Sequence, residues 1–127
     1  MIIGQTRNDD SRVRYLQQQQ FPFVTFGRTK LSEPHPFYDV RHEWLTEDSV
    51  CRLSKLGHQR IGLINPPEEL NYSRHRLDGF LKGLESCGLG FQKEMQVSTA
   101  LSFEAGRKVL QQFIELPNPP TAIVSPG

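Results

Sequence analysis

Arg60-Ile61-Gly62-Leu63-Ile64, closed by Asn65-Pro66-Pro67, is a short, almost continuous apolar run set between two helical patterns. A run of that length, ended by turn formers, reads as a strand covered on both faces. Ahead of it, from about Glu43, Leu45, Val50, Leu53 and Leu56 fall mostly three to four residues apart, and Gly57 stops the pattern where a helix-ending glycine belongs. Behind it, a polar loop from Glu68 to Ser73 leads into a helix carrying Leu77, Phe80, Leu81 and Leu84 on one side and ending near Gly88. This spacing is the clearest helical signal in the chain. Helix, strand and helix joined by short turns predict a parallel sheet, because parallel neighbours need a crossover and a helix provides it.

The same alternation extends in both directions. Ile2-Ile3 reads as the tail of a strand, and Asp9, Asp10 and Ser11 supply helix-capping chemistry before a short apolar face of Val13, Tyr15 and Leu16. The run Gln17 to Gln20 is the solvated end of that helix. Phe21-Pro22-Phe23-Val24-Thr25-Phe26, closed by Gly27, reads as a buried strand with its proline at the start. Pro34 and Pro36 make the stretch from Arg28 an irregular connection, and Phe37 to Val40 a short extended piece. Beyond Gly88, Met95-Gln96-Val97 is a weak strand, and Ser102 caps a fourth helix with Val109, Leu110, Phe113 and Ile114 inward. Asn118-Pro119-Pro120 breaks it, and Thr121 to Ser125 forms a final strand. The fold class is α/β, with parallel sheet flanked by helices. Ligands of such sheets bind outside the carboxyl ends of the strands, which directs attention to the loops after Phe26, Ile64 and Ser125. The abrupt apolar start and the end just past a strand predict a piece of a longer protein.

The 127 residues fit one ordinary domain, and 36% hydrophobic residues with a mean hydropathy of -0.50 allow a modest core. Fifteen Lys and Arg against fourteen Asp and Glu give no bulk attraction to nucleic acid or to an anionic membrane. No run of about 18 apolar residues and no signal-peptide pattern is present, so the expected location is the cytoplasm. Cys51 and Cys87, each placed inside a predicted helix and lacking metal or redox spacing, read as packed, reduced thiols. The four histidines, His35, His42, His58 and His75, do not pair at metal spacing, and His58 reads as structural at a helix end. GxSxG, GxxxxGK[ST], GxGxxG and HExxH are all missing, so the chain is not expected to be an enzyme or to need a cofactor.

Asn71-Tyr72-Ser73-Arg74-His75-Arg76-Leu77-Asp78-Gly79-Phe80 places two arginines at the start of a helix beyond a strand's carboxyl end. A guanidinium fork there can hold hydroxyls or a carboxylate of a small ligand. The alternative is a solvated helix start, although cations suit that end of the dipole poorly. On chemistry alone the two readings are level.

Leu56-Gly57-His58-Gln59-Arg60-Ile61-Gly62-Leu63-Ile64, followed by Arg76-Leu77-Asp78-Gly79-Phe80, resembles the LGHxxIxxI and RxxGF signature of LacI/GalR-type transcriptional regulators. Asp10-Ser11-Arg12-Val13 before Phe21-Pro22-Phe23-Val24, Phe103-Glu104-Ala105-Gly106 and Pro119-Pro120-Thr121-Ala122-Ile123-Val124 fit the same family in the same order. The resemblance covers nearly the whole chain. It implies a periplasmic-binding-protein-like core of type I, in which two α/β subdomains clasp a small effector, commonly a sugar. Their relative rotation is passed to an amino-terminal helix-turn-helix, so operator DNA is contacted only through a headpiece absent from this sequence. Residues 1–37 are expected in the amino-terminal subdomain, 38–59 in a crossover segment and helix, and 60–127 in the carboxyl-terminal subdomain. Arg76 matches the family arginine that reaches the effector, Tyr72 shares its loop, and Leu101 stands where many members place an aromatic wall. Asp39 matches the first acid of a DxDN-like segment, in which Arg41 and His42 replace the second acid and the amide. The implied partners are a small-molecule effector and a second copy of the chain, and the apolar sheet edges predict that the chain dimerises, swaps elements or is only marginally stable. A sugar-binding protein of a transporter or chemoreceptor is the second reading, distinguished by a signal peptide upstream instead of a helix-turn-helix.

Overall fold

The computed structural model describes residues 1–126; Gly127, the last residue of the expected carboxyl-terminal segment, lies outside the described residues. Among the described residues six strands and four α-helices follow one another: β1 (Ile2–Ile3), α1 (Ser11–Gln18), β2 (Val24–Phe26), β3 (Phe37–Tyr38), α2 (His42–Lys55), β4 (Ile61–Asn65), α3 (Asn71–Ser86), β5 (Gln96–Ser98), α4 (Phe103–Ile114) and β6 (Ala122–Val124). They build two sheets, β1-β2-β3 and β5-β4-β6, in which every strand pair is parallel. The expected α/β class with parallel sheets and covering helices is the architecture found.

Burial explains why β4 is the centre of the larger sheet. Ile61 and Leu63 point to a core shared with Val50 of α2, Phe80 and Leu84 of α3 and Val124 of β6. Gly62 faces the other way, where an added Cβ would meet the Phe113 ring of α4 at 3.1 Å. Helices thus cover both faces, and alternate residues of one strand serve different layers. The smaller sheet has its own core of Ile3, Val13 and Leu16, with Phe23 and Leu31 against it. Thr6, Arg7 and Asn8 join the two parts: Asn71 N–H donates to the Thr6 carbonyl at 3.0 Å and Asn8 N–H to that of Glu69 at 3.0 Å.

The helix ends follow local rules. Asp10 accepts from Arg12 N–H as the cap of α1, and Ser102 accepts from Ala105 N–H as the cap of α4. Gly57 stands at φ +96° just past α2, with its own N–H on Ser54 and His58 N–H on Leu53, the double bond pattern of a Schellman ending. Gln20 ends α1 in the same way at φ +52°, so the glutamine run stops in a tight turn rather than fading into solvent.

Several expectations change. The strand foreseen over Phe21 to Phe26 shrinks to Val24–Phe26, because Phe21 N–H is taken by Leu16 to close α1 and Pro22 has none to offer. Phe21 and Phe26 stay half exposed rather than buried. Leu110 and Ile114 of α4 do not point inward, since the stripe that packs is Val109 and Phe113 alone. Tyr15, Leu45 and Leu56 are likewise exposed. α3 begins at Asn71, inside the presumed loop, because Thr6 satisfies the Asn71 N–H. Cys87 is not within a helix but caps α3.

α2 and α3 approach each other closely. A Cβ on Gly79 would run into the Glu43 carbonyl and the Thr46 hydroxyl, and one on Gly83 would sit 2.9 Å from Val50 Cβ. The glycine of the Arg-x-x-Gly-Phe motif is there because two backbones touch.

Candidate ligand-binding site

Arg76 lies in α3 with only 4% of its surface exposed. Its Nε donates to Asn65 Oδ1 at 3.2 Å, while Nη2 is buried with no hydrogen-bond partner. Among the described residues no carboxylate lies within ion-pair reach of it. Burial lowers its pKa from the ordinary arginine value. A desolvated cation with an idle donor is costly to keep, and such cost points to an acceptor that arrives from outside.

Asn65 closes β4 and supports this arginine. Its Nδ2 donates to the Ser73 carbonyl at 2.7 Å and to Ser73 Oγ at 3.0 Å, and Ser73 Oγ donates to the Pro66 carbonyl at 2.9 Å. Both ends of the amide are thereby used, which fixes Oδ1 toward Arg76. From the other side, Thr46 Oγ1 of α2 donates to the Arg76 carbonyl at 2.8 Å.

The first turn of α2 brings further groups to Arg76. His42 stacks on Tyr72 with ring centroids 5.1 Å apart, and its buried Nδ1 has no partner. Its Nε2 stands 3.6 Å from Asp39 Oδ1. Burial lowers the His42 pKa against the pull of Asp39, so the ring is neutral at pH 7. Burial also raises the Tyr72 phenol, which stays protonated and able to donate. Asp39 is committed to Arg28 Nε at 2.7 Å, and Arg28 Nη2 reaches Glu43 Oε1 at 3.3 Å. Glu43 also takes His75 Nδ1 at 2.6 Å. Burial alone would raise Glu43, but its own backbone N–H, His75 and Arg28 together lower it. The carboxylates of this cluster are therefore spoken for, and Arg76 is left over.

Beside Asn65, at the carboxyl ends of β4, β5 and β6, opens a cavity of about 780 Å³ whose walls include Leu101, Phe103, Leu110 and Ile123. Arg76, Tyr72, Asp39 and His42 thus gather around one point, and Leu101 lies in a cavity that touches it through Asn65. Arg41 does not join them; it is exposed, and as the residue before α2 its side chain makes no capping hydrogen bond. A second cavity of about 690 Å³, between α1 and the loop holding Lys30 and Glu33, includes none of these residues. Asn65, Arg28 and Glu43 were not singled out from sequence as site residues, and His75 was named only among the histidines that lack metal spacing and within the arginine motif. Asn65 was the one within reach, as a polar side chain ending a buried strand at the edge where ligands bind.

A family model described as "Periplasmic binding proteins and sugar binding domain of LacI family" matches residues 1–126. The chain belongs to this family. The HTH-type transcriptional regulator AglR of Rhizobium meliloti is 35% identical over 126 residues, which are 98% of this chain and 35% of that protein. The HTH-type transcriptional regulator RafR of Escherichia coli is 30% identical over 125 residues, 98% of this chain and 37% of that protein. A regulatory protein of LacI family from Chloroflexus aggregans superposes with a TM-score of 0.87 at 28% identity, covering 98% of this chain and 45% of that one. This LacI-family chain therefore spans about a third of the length of the curated relatives it matches. It corresponds to part of the effector-binding domain of this family, with the architecture of periplasmic binding proteins. Among the described residues no helix is long and apolar enough to cross a membrane, and no cluster suits a metal ion.

Proposed function

We propose that this chain is the effector-sensing core of a cytoplasmic LacI/GalR-type transcriptional regulator, a repressor that works as a homodimer. A small molecule, a sugar or close relative, is held by Arg76 with Tyr72, His42 and Asp39 around it and Leu101 as an apolar wall. Arg41 borders the site from the outside and meets only a large effector. The chain serves binding and not turnover. Domain closure on the effector shifts operator affinity through a helix-turn-helix that contacts DNA. The two sheets with separate cores support a first lobe over residues 1–37 and a second from residue 60, and within the crossover 38–59 Tyr38 still pairs in the first sheet while α2 packs on the second core. The HTH-type relatives favour this reading over a transporter or chemoreceptor protein.

The observation that carries the proposal is the buried Arg76 donor left without an acceptor among the described residues, next to the Asn65 amide that holds the side chain. Calorimetric titration of the intact regulator with candidate sugars tests it. Arg76→Ala should weaken the responding sugar by about 2–3 kcal/mol, roughly 30- to 150-fold, the range for hydrogen bonds to a charged group. Arg76→Met, which keeps the volume and removes a buried unpaired charge, should fold at least as stably and lose the same affinity. Unchanged affinity in both would remove Arg76 from the site, and sedimentation as a monomer at micromolar concentration would remove the dimer.

A further inference from the structure

α2 and α3 run side by side in the same direction, and their contacts climb in steps of four residues. Gly79 lies on Glu43, Gly83 lies on Glu47 and Val50, and at the next step Cys87 meets Cys51 with sulfurs 3.3 Å apart. The two lower steps fix the register of the upper one, since neither glycine has room for a Cβ and the helices cannot slide past each other without collision. A salt bridge from Lys82 to Glu47 at 3.3 Å crosses the same seam. Both cysteines are free and half-buried, so the pair is held in place yet open to a small reagent. Cys87 is the residue that caps α3, just past the last helical residue, where the backbone can yield.

We propose that Cys51 and Cys87 form a redox modification site, in which a low-molecular-weight disulfide of the glutathione class converts the two thiols into one intramolecular disulfide across the α2–α3 seam. In the first step the Cys87 thiolate, its proton lost to solvent, attacks one sulfur of the reagent. A mixed disulfide forms and one glutathione thiolate leaves. Cys51 then gives up its proton and attacks Cys87 Sγ, and the second glutathione thiolate leaves. Two protein thiols are oxidised and one reagent disulfide is reduced to two thiols, so atoms and electrons balance. The order follows from the environment: sharing a hydrogen bond with Cys87 raises the Cys51 thiol, which makes Cys51 the slower first nucleophile and suits it to the resolving step. The sulfurs must close from 3.3 Å to about 2.05 Å, a movement the end of α3 can supply.

The bond would pin the far ends of the two helices whose first turns carry His42, Glu43, Tyr72 and Arg76, and would close a long loop of chain. Incubation of the full chain with glutathione disulfide, followed by non-reducing peptide mapping, should yield one peptide pair joined through Cys51 and Cys87, lighter by two hydrogens than the separate thiols. The oxidised protein should melt about 10 °C higher, and dithiothreitol should reverse the shift. Cys51→Ser should leave Cys87 trapped as the glutathione mixed disulfide. Retention of both cysteines as mixed disulfides or free thiols in the folded wild-type chain, under conditions that oxidise the urea-unfolded chain, would overturn the proposal. So would linkage only between molecules, or a bond that forms without raising the melting temperature. None of these readouts depends on the effector, so failure here is separate from failure at Arg76.

Discussion

Two helical glycines make opposite predictions for the same substitution. In an unobstructed helix, Gly→Ala stabilises by up to about 1 kcal/mol, because alanine has less backbone freedom to lose. Gly106 in α4 meets that condition, since an added Cβ finds nothing within 4 Å. Gly79 in α3 does not. Its Cβ would collide with the Glu43 carbonyl and the Thr46 hydroxyl, both on the neighbouring helix and both unable to swing aside as a long side chain could. The helices would have to part, costing roughly 1–3 kcal/mol of overpacking strain, plus about 1 kcal/mol for the 2.8 Å bond from Thr46 to the Arg76 carbonyl. Against the gain in helix propensity, Gly79→Ala should lose about 2 kcal/mol, and Gly106→Ala should gain somewhat under 1 kcal/mol. For a domain of this size 1 kcal/mol moves the melting temperature by roughly 4 °C. Scanning calorimetry should therefore place Gly79→Ala about 8 °C below the wild type and Gly106→Ala a few degrees above it. A melting point for Gly79→Ala at or above that of the wild type would refute the close contact of α2 with α3, and with it the register that brings Cys51 to Cys87.

Asp10 is nearly inaccessible and is held by Arg12, with its pKa lowered from 3.8 to about 2. The lowered folded value means its contribution is whole above pH 4 and is lost as the pH falls toward 2, about 2 kcal/mol in all. Urea denaturation across that window should show the slope in the wild type and a flatter curve in Asp10→Asn, and equal slopes would remove Asp10 as the cause. Asn65→Leu deletes the amide that binds Ser73 and Arg76, so it should cost about 3 kcal/mol. Combined with Arg76→Met the loss should shrink by at least about 1 kcal/mol, because the orphaned cation is gone; simple additivity in the double-mutant cycle would deny the coupling. For the effector, the pair Arg76→Ala and Arg76→Met should lose affinity together, read by calorimetric titration.

Much of the fold was legible because its signals are local. The three-to-four spacing of Leu77, Phe80, Leu81 and Leu84 and the Gly57 ending needed only neighbours in sequence. Leu110 and Ile114 misled for the same reason: they have the right spacing, but how wide a stripe is covered depends on what lies opposite, and only Val109 and Phe113 of α4 are buried. Phe21 failed because its N–H was claimed by α1 before any strand could use it. In the site, Arg76 and Tyr72 were found through a motif on one helix. Asn65, Arg28 and Glu43 come from other elements, His75 sits beside Arg76 in α3, and none of the four carries a mark in the sequence of the distances that unite them.

Periodicity, turn residues and motif order, read from the chain by itself, determined alternating strands and helices, parallel pairing and the LacI-family resemblance. Those features depend on backbone propensity and on which residues avoid water, and both act over a few residues. The tertiary structure alone decided that Arg76 is buried with no counterion among the described residues, that Asp39 and Glu43 are already engaged, and that Cys51 touches Cys87. Desolvation, charge pairing and helix register are properties of segments brought together from far apart in the chain, and no local pattern encodes them.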